Sequence, residues 1–180
     1  VSVFKNEGGG QFVHARDIEA GFTLSAVMQV DLDEDGNLDL IASSLFTDSL
    51  KILLQKSPGE YTKPAQLDVG FSPMAMTLDD FDGDGNWDLV SSNRASNSVS
   101  ILLGRGDGSF QPAGHFAMGT ITTSVAVEDF NGDGWPDVVA TNSDSHDVSV
   151  LLSGKAIIPS INLSAEAVQF PGVYLQKEQS

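Results

Sequence analysis

The stretch VDLDEDGNLDLIASS, residues 30–44, decides the fold because it recurs. It returns as DDFDGDGNWDLVSSN at residues 79–93 and as EDFNGDGWPDVVATN at residues 128–142. The leading aspartates are Asp31, Asp80 and Asp129, a step of 49 residues taken twice. Other landmarks keep the same step. Gly10, Gly59 and Gly108 each stand two residues before an aromatic, Phe12, Tyr61 or Phe110, and Gly21, Gly70 and Gly119 follow. Apolar runs begin at Leu50, Val99 and Val148, with Val1 one step earlier. Self-similarity at a fixed period of this size is the signature of a repeat architecture.

Each unit reads as four short strands. In the third unit, Ser124 to Phe130 alternates small, apolar and polar residues, an Asp/Gly-rich loop follows, and Asp137–Asn142 and Asp147–Leu152 are rich in β-branched residues. The fourth strand is clearest one unit earlier, in SFQPAGHFAMG. Short strands punctuated by Gly, Asn and Asp turns predict an all-β antiparallel protein, and no stretch holds a helical apolar period. Four strands in ~40–50 residues is the spacing of a β-propeller blade.

The phase of the repeat opens the chain at the third strand of one blade and closes it at the third strand of another. This predicts about three four-stranded blades, an incomplete ring, over residues 1–154, since closed propellers hold ~4–8 blades. The remaining blades, or another chain, are expected at the open sheet edges. From Ala156 the composition changes: AIIPSINLSAEAVQFPGVYLQKEQS has no Asp. Residues 155–180 read as a linker and the first strand or two of a truncated second β domain.

The composition narrows the function. The 180 residues carry 9 Lys and Arg against 25 Asp and Glu, a net charge of −16. Nucleic-acid contacts and docking on anionic membranes need clustered basic residues, so both are disfavoured, whereas cations are welcome. No run is apolar enough to span a bilayer as a helix. Cysteine is absent, which removes disulfides and thiolate metal sites and leaves the core or bound ions to hold the fold.

The three loops supply candidate ion ligands. Side-chain oxygens fall at positions 1, 3, 5 and 9: Asp31, Asp33, Asp35 and Asp39; Asp80, Asp82, Asp84 and Asp88; Asp129, Asn131, Asp133 and Asp137. Position 6 is always Gly (Gly36, Gly85, Gly134), which permits a sharp turn. The position-7 carbonyl of Asn37, Asn86 or Trp135 would complete the set. Hard cations such as Ca²⁺ take six to eight oxygens, and alternate side chains of a curled loop can converge on one ion. Four carboxylates in nine residues also repel one another unless a cation sits among them. An EF-hand is excluded, because its position-12 Glu is replaced by Ala42, Ser91 and Ala140 and no flanking helices are expected. Three Ca²⁺ ions are therefore predicted, each closed by the position-9 Asp.

The pattern D-x-[DN]-x-D-G-x-x-D between two strands, followed by an apolar strand and a GDGSF-type turn, resembles the FG-GAP/VCBS repeat, the family of the calcium-bearing blades of integrin α-subunit propellers and of many bacterial surface proteins. The Gly-Ala-Pro element is absent, with LIASS following Asp39, so the likeness is to the VCBS-like bacterial variant. The tail PSINLSAEAVQFPGV resembles the opening of immunoglobulin-like modules. The resemblance implies a secreted or cell-surface protein.

Other features are read as scaffold. Arg105-Gly106-Asp107 spells an adhesion tripeptide but falls in the variable turn between third and fourth strands, where Asp-Gly is ordinary hairpin chemistry. His14, His115 and His146 lack partners at metal-binding spacing. Trp87 shares a column with Leu38 and Pro136 and is expected as an apolar anchor beneath its loop. No nucleophile elbow, phosphate-binding loop or zinc-protease motif is present. The expected function is a non-enzymatic, calcium-binding propeller segment with a structural, binding or adhesion role toward a protein or glycan. The alternative is an accessory or catalytic propeller of a carbohydrate-active or lyase-type enzyme.

Overall fold

Backbone hydrogen bonds sort the chain into small antiparallel sheets in step with the repeat. The computed structural model describes residues 1–154 apart from Phe22 and Ala113, so the expected second domain at 155–180 lies outside the described residues. Strands β1 (Ser2–Gly8) and β2 (Gln11–Asp17) form a hairpin. The first full sheet runs β3 (Leu24–Val30), β4 (Asp39–Ser44), β5 (Ser49–Leu53) and β8 (Ala65–Asp68). A short ribbon, β6 (Gln55–Ser57) with β7 (Glu60–Tyr61), lies between its third and fourth strands. The second sheet runs β9 (Pro73–Asp79), β10 (Asp88–Asn93), β11 (Ser98–Leu102) and β12 (Gly114–Ala117). The third holds β13 (Thr122–Glu128), β14 (Asp137–Asn142) and β15 (Asp147–Leu151). These are successive blades of an incomplete propeller, all-β as expected.

The second strand of each blade is the axis of packing. Every residue of β4 and β10 is buried, which explains their small and apolar sequences, DLIASS and DLVSSN. Facing blades interdigitate across this strand. Ile41, Leu50 and Ile52 of the first blade join Met76, Leu89 and Leu102 of the second in one cluster. Val90 and Val99 of the second meet Val138 and Ala140 of the third. The β1–β2 hairpin does the same one step earlier, as Val1, Val3 and Ile18 cover Leu40, Ala42 and Leu53. Truncating a fully buried leucine such as Leu50 or Leu89 would cost about 2–5 kcal/mol. Val148, in the column of Leu50 and Val99, is 49% exposed, because no described blade covers it.

Three local devices recur with the period. A β-bulge interrupts the pairing of first and second strands at Ser25, Met74 and Thr123. Gly70 and Gly119 are required by close approach: a Cβ would stand 2.6 Å from Asn93 Nδ2 or 2.5 Å from Asn142 Nδ2. The turn after the second strand bolts each blade to the next. Asp48 Oδ1 accepts from Ser72 N at 2.9 Å, and Asn97 Oδ1 accepts from Ile121 N at 2.7 Å.

Candidate metal sites

Each loop starts one residue past a first strand and ends on the first residue of a second strand, so positions 1 and 9 are fixed by sheet pairing. Val30 pairs Asp39, Asp79 pairs Asp88, and Glu128 pairs Asp137. The nine residues from position 1 to position 9 form a hydrogen-bonded curl. Position 1 caps the amide of position 6: Gly36, Gly85 and Gly134 donate to Asp31, Asp80 and Asp129 Oδ2, each at 2.9 Å. Position 5 caps position 7: Asn37, Asn86 and Trp135 donate their amides to Asp35, Asp84 and Asp133 at 2.9, 2.8 and 2.9 Å. The position-6 glycines take φ of 86–88°, a region closed to most side chains.

Position 9 has a role the sequence reading missed. Asp39, Asp88 and Asp137 are completely buried, and each spreads its two oxygens over two backbone amides. One amide is at position 2 of the loop (Leu32, Phe81, Phe130), at 2.8–3.0 Å. The other lies just past the third strand, at Gln55, Gly104 or Ser153, at 2.7–2.8 Å. The carboxylate therefore ties the loop to the third strand of its own blade.

Two loops bring three carboxylates together. Ligand atoms of Asp31, Asp33 and Asp39 lie within 4.8 Å of one another, as do those of Asp80, Asp82 and Asp88, and each group can hold a metal ion. In the first loop Asp31 Oδ1 and Asp33 Oδ1 are buried and have no hydrogen-bond partner. Such orphaned acceptors are costly and call for a donor or a cation. The set is all hard oxygen, as calcium or magnesium requires. In the third loop Asn131 replaces the position-3 carboxylate and points its amide at Asp133 Oδ2, 3.1 Å away.

The electrostatics reflect the crowding. Burial pushes Asp88 up to about 6 against its two amide bonds, with Asp82 and Asp84 adding to the rise. Asp39 and Asp82 are raised, chiefly by burial. Asp35 and Asp129 are lowered, chiefly by the amides of Asn37 and Gly134 that they accept. Lys56, a residue the loop pattern gave no reason to single out, reaches Asp33 Oδ2 at 2.8 Å and is raised by that bond.

The remaining candidates behave as scaffold, with one correction. Arg105 Nη1 donates to Phe110 O and Asp107 accepts from Ser109 N, so the tripeptide is an ordinary hairpin. His14 meets Asp17 at 3.1 Å, and His115 meets Ser100 at 2.9 Å. Trp87 is 47% exposed and Leu38 52%, so this column does not anchor the loop from beneath. Trp135 instead lays its ring 3.2 Å from the Cβ position of Gly83, on the neighbouring loop.

Comparison with known proteins adds one finding. A family model described as an FG-GAP-like repeat matches residues 31–91 and again 80–140. Each match runs from the first position of one loop into the second strand of the next blade. No curated protein matches the chain.

Proposed function

We propose that this chain, which belongs to the FG-GAP-like repeat family, is a calcium-stapled propeller segment of an exported or cell-surface protein, of the VCBS-like bacterial kind, that offers its surface to a protein or glycan partner. The observation that carries the calcium reading is the pair of buried, unpartnered oxygens on Asp31 and Asp33, within 4.8 Å of an Asp39 oxygen. Asp80, Asp82 and Asp88 would hold a second ion, with Asp35, Asp84 and the position-7 carbonyls as further ligands. The third loop fits less fully; Asp129, Asn131, Asp133 and Asp137 keep its register, and a third ion is proposed there on that ground. A bound cation supplies positive charge where the loop's carboxylates repel, which rigidifies the turn between first and second strands.

The proposed role is binding or structural rather than catalytic, because the carboxylates acid–base chemistry would draw on are committed to backbone amides and to the cation loops. Extracellular calcium modules bind at ~10⁻⁴–10⁻³ M, which favours a compartment with millimolar calcium. Thermal melts in EDTA and in excess CaCl₂ test the reading. Binding to the folded state alone raises stability by mass action, about 2.7 kcal/mol per site at a hundredfold excess over Kd. A rise of several degrees is expected, and an unchanged melting temperature would remove the calcium reading.

A further inference from the structure

A groove of about 450 Å³ opens between the β1–β2 hairpin and the first full blade. Arg16 and Glu19 line it from one side, Lys51 of β5 from the other, and Gly59, Tyr61 and Lys63 from the connection into β8. Three of the nine Lys and Arg residues thus meet in one place on a protein of net charge −16. They outnumber the groove's two carboxylates, Asp17 and Glu19, by one, and no direct ion pair ties them up. Among the described residues the ion pairs are Lys5–Glu7, His14–Asp17 and Lys56–Asp33, and none involves the groove's cations. Lys51 Nζ rests on the neutral Gln66 Oε1 at 2.6 Å. Arg16 Nη1 donates to Gly59 O at 2.6 Å, leaving the rest of a five-donor fork free. Of the groove's two carboxylates, Asp17 is taken by Ser2 and His14, and Glu19 stands exposed on the rim.

The repeat provides the contrast. One step of 49 residues on, the columns of Arg16, Lys51 and Lys63 hold Ala65, Ser100 and Pro112. A further step puts Gly114 and Ser149 in the first two columns. The fold is built at those steps without any cation, so packing does not require these three. All three departures are to positive charge, and all three converge on one groove.

We propose that this groove binds a uronate-bearing saccharide. Its carboxylate would be held by Lys51, Lys63 and the free N–H groups of Arg16, with the sugar ring against the half-buried ring of Tyr61. Guanidinium and ammonium donors form the stronger, charge-assisted bonds to carboxylates. The groove falls within the ~300–1,000 Å³ of ordinary small-ligand sites. An extended acidic peptide is the competing occupant that the test decides: β5 is paired on both edges, with β4 and β8, but β2 and β8 each keep one edge unpaired among the described residues, and only a sugar ring makes use of Tyr61. This goes beyond the calcium reading, because no lining residue belongs to a cation loop.

Calorimetric titration of the calcium-loaded chain tests it, in excess calcium so that the ligand cannot strip the loops. Four probes are compared: glucuronate, a glucuronate-containing oligosaccharide, a neutral oligosaccharide of the same length, and hexaglutamate. Binding of the glucuronate oligosaccharide is expected, and the double variant Lys51→Ser with Lys63→Gln should weaken it roughly tenfold or more. The serine copies the residue of the next repeat, so the melting temperature should not move. Should the double variant melt early, Lys51→Ser alone carries the test, with a several-fold loss expected. Free glucuronate binding as tightly as the oligosaccharide supports the site with a sugar acid as its source; weaker binding assigns it to a polysaccharide. Equal binding of the neutral oligosaccharide, preference for hexaglutamate, unchanged affinity in the variants, or no binding at millimolar concentration would each overturn it.

Discussion

The first and second loops hold aspartates in the same four columns, yet they manage the charge differently. In the first, Lys56 sits 2.8 Å from Asp33 and supplies a resident counter-charge. In the second, the same column holds Arg105, whose guanidinium turns to Phe110 O instead. Asp82 and Asp88 are left to be raised by burial and by their neighbours, Asp88 to about 6. The ligand pattern is thus set by the repeat, but the strength of the demand for a cation is set by a residue outside the motif. The second loop lacks such a counter-charge, and the first carries its own lysine.

The largest effect that can separate structural from ligand roles is at position 9. Asp88→Ala strips the acceptor from Phe81 N and Gly104 N, two amides then left in the interior at about 1–3 kcal/mol each. A loss of roughly 3–5 kcal/mol is expected in denaturant unfolding, even without calcium. Asp82→Ala should cost far less there, because its amide partner, Asp84 N, also reaches Asp80 Oδ1. Equal losses in EDTA would mean that the clamp contributes nothing beyond the ligand set.

The pH dependence of the metal-free protein comes next in size. Asp88 rises from an ordinary 3.8 to about 6, so the stability it contributes is present below 3.8 and is lost as pH climbs through about 6. The full swing is about 3 kcal/mol. Asp35 and Asp129 are lowered and lose their contribution only as pH falls below 3.8, outside this window. Melts in EDTA should therefore fall between about pH 4 and 6.5 and level off above that, and Asp88→Asn should flatten the slope. With calcium the ion needs the ionised carboxylate, so the calcium-induced gain should grow over the same range. A metal-free protein that melts higher at pH 7.5 would contradict the assigned burial of Asp88.

Much of the fold was legible because strands and loop ligands are side-chain properties repeated in register. The second strands Asp137–Asn142 and the landmark glycines fall where the sequence puts them. The position-9 clamp was not legible, for a physical reason. Its partners are backbone amides of Gln55, Gly104 and Ser153, whose side chains have nothing in common, and a main-chain donor leaves no trace in residue identity. The bulges at Ser25, Met74 and Thr123 escaped likewise. Lys56 was hidden because the turn it occupies varies from unit to unit. Trp87 misled, since an apolar column beside a loop reads as an anchor until its exposure is known.

Lys56→Met sharpens the contrast between the loops at smaller scale. The substitution removes a cation that competes with calcium for Asp33 while keeping the aliphatic stem. A several-fold gain in calcium affinity is expected at the first loop, alongside a slightly lower melting temperature in EDTA. The second loop should not respond. A weakened first site would instead make the lysine a positioning group for Asp33.

The smallest effect lies at position 4, where the loops differ in backbone rather than charge. Glu34 takes φ of 56°, while Gly83 and Gly132 stand there at 74° and 77°. A side chain in the left-handed region costs about 1–2 kcal/mol, and a glycine relieves it at an entropic cost of about 0.5–1 kcal/mol. The glycine amides also donate to Asp80 and Asp129 Oδ1 at 2.7 Å, whereas Asp31 Oδ1 has no partner. Glu34→Gly should therefore stabilise the metal-free protein by about 0.5–1 kcal/mol, and more if the amide swings to cap Asp31. At this chain length that is a rise of roughly 1–4 °C in EDTA. The reciprocal change Gly83→Glu should lower it, since a Cβ there meets the Trp135 ring at 3.2 Å as well as the positive φ. If Glu34→Gly captures the free Asp31 oxygen, its gain in EDTA will shrink in calcium, because the oxygen given to the amide is one the ion would otherwise take. A gain of equal size in both buffers would mean that only backbone strain was relieved and that the orphaned oxygen keeps its place in the ligand set.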